Sequence, residues 1–376
     1  MQAIKSNISI LVMAFGAGSI FFCNLYLKEV FTGAEYGRYA LLITYIAMLN
    51  SFGLLGAEQV ILRKVPFVLG SNKIRLDISL SSLMLVVFII SILLSFFASY
   101  LNLFESSIIH VLLSILTVFN LLVYNVLRIR GEFVLSQFVQ LIWKLGILFT
   151  IIFFLLTQRT FSYDSLSFAI LLFSLIAGCL SAYFILKRMV FSKINLKQIT
   201  KKDIKLTLSF ALALCTMTMI SHVDKFILEN NFSLEKLGDY VYISTITLFP
   251  FSFLQGYIGF KYIVEYKKSS EPNSIIKSNL KYLIFIIVFI LFAIFIVFTL
   301  LIHYNLFSIE ELFDSTGLII ILIFTGIIKL FYAFFSAKMG ALGITSNIKK
   351  ANQYSFTITS LILLGLYIFC FDIYFL

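Results

Sequence analysis

The chain has 376 residues, 61% hydrophobic and only 12% charged, with a mean hydropathy of +1.03. So much apolar surface under so few charges excludes a water-soluble globular domain and assigns the chain to a bilayer. Its formal net charge of +11 would fit a nucleic-acid partner, but the placement of the cations accounts for the excess without one.

Blocks of about 20 apolar residues cross a hydrocarbon core of about 30 Å as helices. In chain order they run over 8–27, 37–58, 78–100, 107–127, 134–156 and 165–186, then over 206–229, 239–262, 281–303, 315–336 and 354–374. Backbone groups in lipid must be satisfied within their own segment, so these eleven blocks are predicted as helices. The alternating pattern of a β-barrel is absent. Lys5 before the first block resembles the start of a signal peptide, but the block is too long and lacks a small-residue cleavage site, so it reads as a retained helix. Cys23, Cys179, Cys215 and Cys370 all fall within blocks, which predicts neither disulfides nor a metal site.

With the N-terminus in the cytosol, Lys5, Arg63, Lys64, Lys73, Arg75, Arg128, Arg130 and the run from Lys187 to Lys205 share the cytosolic side with Lys261, Lys267, Lys268, Lys277, Lys281, Lys338, Lys349 and Lys350. The other connections hold Lys28, Arg38, Arg159 and Lys236, together with the acids Glu105, Glu310, Glu311 and Asp314. This asymmetry is the positive-inside pattern; eleven spans then put the C-terminus outside. The stretch 187–205 is the longest hydrophilic segment and the natural boundary between halves, either a solvated linker or an amphipathic surface segment on an anionic leaflet. The expected organisation is a lobe over 1–190, a basic linker over 191–205 and a second lobe over 206–376.

A nine-residue pattern supports that division. Phe31, Gly37 and Tyr39 have the spacing of Phe232, Gly238 and Tyr240, and Thr32 matches Ser233. Each copy joins the first and second blocks of its half. Six spans return the chain to its starting side, so the copies are predicted as parallel repeats. The second half shows five spans where the first has six, which reads as an external C-terminus or an absent twelfth helix.

The repeated segments, with Leu54 to Gly56 and Arg63 after the first and Val223 to Leu228 before the second, resemble the polysaccharide and O-antigen flippases of the multidrug/oligosaccharidyl-lipid/polysaccharide exporter superfamily. The likeness extends along the whole chain in topology and departs from the family in the twelfth span. It implies a non-enzymatic, cofactor-free flippase of a bacterial inner membrane. Such a protein moves an undecaprenyl-pyrophosphate-linked oligosaccharide from the cytosolic to the periplasmic leaflet, with membrane lipid and polysaccharide assembly proteins as further partners.

The polar residues inside the spans give a reading of their own. Gln137, Gln140 and Lys144 share one helical face, and Lys144 falls near mid-membrane, where a lysine costs about 2.5–3.5 kcal/mol on insertion scales unless it meets a partner or water. It either lines a cavity or snorkels along its flexible stem. Stripes also run along the fourth block (Thr117, Asn120, Tyr124, Arg128), the tenth (Thr325, Lys329, Tyr332, Ser336) and the second (Ser51, Gln59, Arg63). Each could serve ordinary helix–helix hydrogen bonding; together they predict a cytosol-facing cavity walled by Arg63, Arg128, Lys144 and Lys329. Away from the outermost residues of the later blocks, the acids inside blocks are Glu58 and Asp224, neither near mid-membrane, so a cationic drug is disfavoured and an anionic headgroup favoured. Ser221, His222, Asp224 and Lys225 form a second cluster, either an external gate with proton carriers or a hydrated helix end. Pro250 is predicted to kink its helix as a hinge, with Gly256 and Gly259 allowing close or shifting contacts. The rival readings are an exporter of another lipid precursor or small molecule on the same fold, a membrane glycan polymerase or glycosyltransferase, and an accessory membrane protein. Short external connections without an acid–base constellation count against catalysis.

Overall fold

The computed structural model describes residues 2–66, 73–100, 108–157, 162–268, 272–304, 309–343 and 345–373. Almost all of it is helix. The order is α1 (Gln2–Val30), α2 (Gly33–Phe52), α3 (Ala57–Lys64), β1 (Ile74–Leu76), α4 (Ile78–Tyr100), α5 (Ile108–Ile129), α6 (Phe133–Thr157), α7 (Tyr163–Arg188) and β2 (Met189–Phe191). It continues with α8 (Lys201–Asn231), α9 (Leu234–Lys268), α10 (Pro272–His303), the short α11 (Ile309–Asp314), α12 (Thr316–Leu342) and α13 (Thr345–Ile373). Among the described residues nine helices are long and apolar enough to cross a membrane, or ten with α2 and α3 taken as one bent span. The chain is therefore a multi-pass membrane protein. The eleventh expected span lies in α13, most of whose side chains beyond Leu361 are outside the described residues. The same holds for the side chains of Lys5, Glu105, Arg159, Lys261, Lys267, Lys268, Lys277, Lys281, Glu310, Glu311 and Cys370.

The helices pack in two groups. In the first, α5, α6 and α7 pack on one another, α1 lies along α6 and α4 along α5; in the second, α9 packs on α12 and α10, and α8 on α13. Helices α1, α2 and α3 carry the first group against α8 and α9 of the second.

The nine-residue repeat has a structural meaning at this boundary. Thr32 caps α2 in a capping box with Glu35, and the Ser233 hydroxyl accepts the Lys236 amide at 3.3 Å at the start of α9. The matched Thr and Ser are thus helix N-caps, each satisfying an amide that the helix cannot. The matched glycines are where α2 and α9 cross. A Cβ on Gly37 would stand 2.2 Å from the Leu234 carbonyl oxygen, and one on Gly238 3.1 Å from the Tyr36 ring and 3.3 Å from the Gly33 carbonyl. The matched tyrosines each reach back to the preceding helix, Tyr39 donating to Asn24 at 2.5 Å and Tyr240 to Asp224. Cap, glycine and tyrosine recur in equivalent roles, the pseudo-symmetry that parallel repeats require.

One expectation is corrected and another refined. The block 37–58 is not one straight helix: α2 ends at Phe52, Leu55 and Gly56 take left-handed backbone (φ 47° and 81°), and α3 leaves at about 40°. At Gly56 any Cβ would also meet the α8 backbone 2.6 Å away at Ala211 N, so glycine answers both the turn and the approach. The segment 191–205 is mostly exposed, as a solvated linker would be, but it is tied down along its length and passes into α8 at Lys201. Strand β2 pairs in parallel with β1, and the Ser192, Asn195 and Thr200 amides donate to the hydroxyls of Ser81, Ser82 and Ser79 at the start of α4. Thr200 then caps α8, and buried Asp203 in its first turn pairs with Lys64 and accepts from Ser79 at 3.0 Å.

Candidate functional site

Between the groups lies a cavity of about 440 Å³. Helix α1 contributes Ile20, Phe21 and Asn24, α2 Ile43, Ala47, Asn50 and Ser51, and α6 Gln140, Trp143 and Lys144. The second group contributes Ser221, His222 and Lys225 from α8, Ser244, Thr245, Leu248, Phe249, Ser252 and Gln255 from α9, and Lys329 from α12. Lys144 and Lys329 lie in the middle stretches of their helices, and Asn50 and Ser51 stand at the end of α2 where it breaks into α3.

Among the described residues three lysines and no carboxylate line this space. Among the described residues none of their ammonium groups has a carboxylate oxygen within the 4.0 Å of an ion pair. Lys144 lies over its neighbour Trp143, 5.5 Å from the ring centroid, a cation–π contact that does not neutralise it. Lys329 is buried, and the buried His222 Nδ1 has no hydrogen-bond partner. Lys225 and Lys329 repel each other while the nearby Asp224 charge attracts both, and a bound anion would relieve both that repulsion and the cost of holding three cations in a low dielectric. Hydroxyls and amides from Asn24, Asn50, Ser51, Gln140 and Gln255 surround them, supplying donors and acceptors for a polar ligand.

No family model matches the chain, and no curated protein sequence does. Solved structures do. An outward-facing multidrug resistance MATE family transporter of the MOP superfamily superposes with a TM-score of 0.57 at 14% identity, over 93% of this chain and 85% of that one. A complex of the MATE multidrug transporter DinF-BH gives 0.55 at 12%, over 96% and 94%, and a MATE mutant 0.51 at 13%, over 97% and 96%. The chain has the MATE transporter fold. At such identities the likeness is one of architecture alone.

On this MATE fold, the residues singled out in the sequence separate into two sets. Gln140, Lys144 and Lys329 meet in the cavity. His222 and Lys225, expected as a separate external cluster, face the same cavity and add the third cation. Asp224 does not line the cavity and accepts the Tyr240 hydroxyl, with its Oδ1 buried and without a hydrogen-bond partner; its charge nevertheless acts on Lys225 and Lys329 from just outside the wall.

Arg63, Arg128, Asn120, Tyr124 and Gln137 do not line the cavity, contrary to expectation. Arg63 donates to the Gly343 carbonyl at 2.7 Å, joining α3 to the end of α12. Arg128 lies over the Tyr124 ring and donates to the Gly259 carbonyl of α9 at 3.4 Å. Both arginines bridge the two helix groups at the basic end rather than wait for a ligand. Asn120 accepts from Ser181 at 2.8 Å, tying α5 to α7, and Gln137 is buried within the first group. Gly256 and Gly259 are not close-packing positions, since a Cβ on either would meet nothing within 4 Å; the tight contact is Gly326 against Phe251. Pro250 lies inside the continuous α9, between the cavity residues Phe249 and Ser252.

Sequence reading missed Asn24, Asn50 and Trp143. Asn24 had a usable signal: it stands 15 residues before Tyr39, as Asp224 stands 16 before Tyr240.

Proposed function

We propose that the protein is a flippase for an anionic, lipid-linked oligosaccharide, moving an undecaprenyl-pyrophosphate-linked repeat unit from the cytosolic to the periplasmic leaflet by alternating access. The observation that carries this reading is the cavity with Lys144, Lys225 and Lys329 and, among the described residues, no carboxylate in its lining. A pyrophosphate entering a membrane leaves its hydration behind and needs fixed cations in exchange. Lysine ammoniums act as point charges for phosphate. The polar wall from α1, α2 and α9 suits the sugar hydroxyls. The basic end, which carries Arg63, Lys64, Arg128 and the lysines at the start of α8, would face the cytosol.

A second reading, export of a drug-like solute, is favoured by the multidrug transporters that share the fold. A cationic solute would meet three like charges at the centre of this cavity, whereas an anionic one would fit either reading.

The test is transport of a fluorescent pyrophosphate-linked lipid in proteoliposomes. Replacement of one charged hydrogen-bonding partner costs about 1.5–3 kcal/mol, so Lys144→Gln should slow transport by about 10- to 100-fold at unchanged insertion and abundance. Lys225→Gln and Lys329→Gln should act in the same direction. Full transport in all three variants, or transport of an organic cation with none of an anionic lipid, would sink the proposal.

A further inference from the structure

A second chamber, of about 270 Å³, adjoins the cationic cavity and shares Gln255 with it. It is enclosed chiefly by α8, α12 and α13, and most of its wall area is apolar, with Phe210, Leu214 and Met217 on one side and Phe335 and Met339 on the other, although Gln59, Tyr332, Ser336, Asn352 and Ser355 also face it. Among the described residues α13 packs along α8 while α12 packs along α9, so the chamber occupies the seam between two helices consecutive in the chain. Phe335 lines the chamber and is 54% exposed, so the chamber is not closed off on the α12 side.

We propose that this chamber receives the first stretch of the substrate's hydrocarbon chain, which passes sideways between α12 and α13 while its anionic head sits among Lys144, Lys225 and Lys329. The assignment rests on the flippase reading and adds the route of the tail. A pyrophosphate and its prenyl chain are covalently joined, so a protein that encloses the head must also provide a dry path for the carbons next to it. An apolar chamber touching the cationic one at Gln255 is such a path, whereas a passage for a water-soluble anion needs polar walls along its length. The chamber holds about nine water-sized groups by liquid volume, enough for a short piece of chain; the remainder would stay in the bilayer. Lipid tails are as apolar as the chamber wall, so the chamber sets the position of a membrane-bound chain. For short chains presented from water it also adds affinity.

Trp143 is the single tryptophan of the chain and lines the cationic cavity, so its fluorescence reports the head. In purified full-length protein, geranyl pyrophosphate should bind at least about tenfold more tightly than inorganic pyrophosphate, the gain expected from burying a few methylene groups. Ala213→Phe and Ser355→Phe, which fill the chamber from α8 and α13, should each remove that gain while the response to inorganic pyrophosphate persists. Retention of the gain in both variants would overturn the chamber assignment. The head reading fails separately, if inorganic pyrophosphate leaves Trp143 unperturbed or if Lys144→Gln responds like the unaltered protein. In that event a photoactivatable geranyl alcohol, which carries no phosphate, judges the chamber alone. Labelling within 331–339 and 348–355 that Ala213→Phe abolishes supports it, and labelling confined to other helices overturns it.

Discussion

The two ends of the helix bundle hold the same pair of helix groups together by different means. At the end carrying the repeated segments, α2 and α9 cross with Gly37 against the Leu234 backbone and Gly238 against the start of α2. Side chains have been removed there so that main chains can touch. Toward the basic end Gly56 also meets the α8 backbone, but beyond it the groups are joined by long side chains, Arg63 and Arg128 to carbonyl oxygens and Lys64 to Asp203. Glycine crossings close only when complementary and tolerate no added atom. Arginine and lysine tethers can exchange a protein partner for water at a net cost of a few kcal/mol. An alternating-access protein must open each end in turn, and the two ends of this molecule resist opening in different ways.

The sharpest way to break the comparison is at Gly37. Gly37→Leu should prevent the α2–α9 crossing, lower stability by about 1–3 kcal/mol as overpacking does and abolish transport, read by thermal unfolding in detergent and by proteoliposome flux. Gly238→Ala should cost less, because its nearest neighbour is a ring edge at 3.1 Å rather than a carbonyl oxygen at 2.2 Å. Equal losses at the two glycines would show that the crossing is not the seal described here.

The basic end comes next. The Asp203 side chain is fully buried and Lys64 is 34% exposed, so Lys64→Gln leaves a carboxylate with only Ser79 and the helix start to satisfy it. A loss of about 1.5–3 kcal/mol is expected; a double-mutant cycle with Asp203→Asn should show coupling between the two sites, and purely additive losses would deny a functional pair. Lys28 and Asp239 form the ion pair at the opposite end, 24% and 55% exposed. Lys28→Gln should change stability by only about 0.2–1 kcal/mol, and the change should fade as salt is raised. Gly256→Ala should stay within about 0.5 kcal/mol of the unaltered protein, since nothing lies within 4 Å of the added methyl; a large loss would mean that α9 meets another surface there during transport.

Much of this was legible in the chain. The apolar blocks announced the long helices because a bilayer imposes a length and a backbone economy that few other sequences meet. Phe31 to Tyr39 and Phe232 to Tyr240 announced the pseudo-symmetry, although their roles as cap, crossing and tether appear only with neighbours in place. Lys144 and Lys329 stood out as candidates for a cavity because an intramembrane lysine is costly. Arg63 and Arg128 were expected in the cavity wall for a common reason. Cations near span ends read as solvated or ligand-facing, yet Arg128 and Arg130 are buried and bonded, Arg130 to Glu132 at 2.8 Å. Depth along a helix is written in residue number; the direction a side chain faces is not.

Composition and periodicity alone determined that this chain spans a membrane as a set of long helices, with its cations gathered between alternate spans. Those properties follow from the solvent, which acts on every residue separately. The tertiary structure alone decided that Lys225 and His222 join Lys144 and Lys329 in one cavity, that α2 and α9 seal one end through glycine, and that an apolar chamber lies beside the cations. These depend on the tilt and rotation of helices about one another. Packing between segments as far as 280 residues apart in the chain sets both, and no local pattern encodes them.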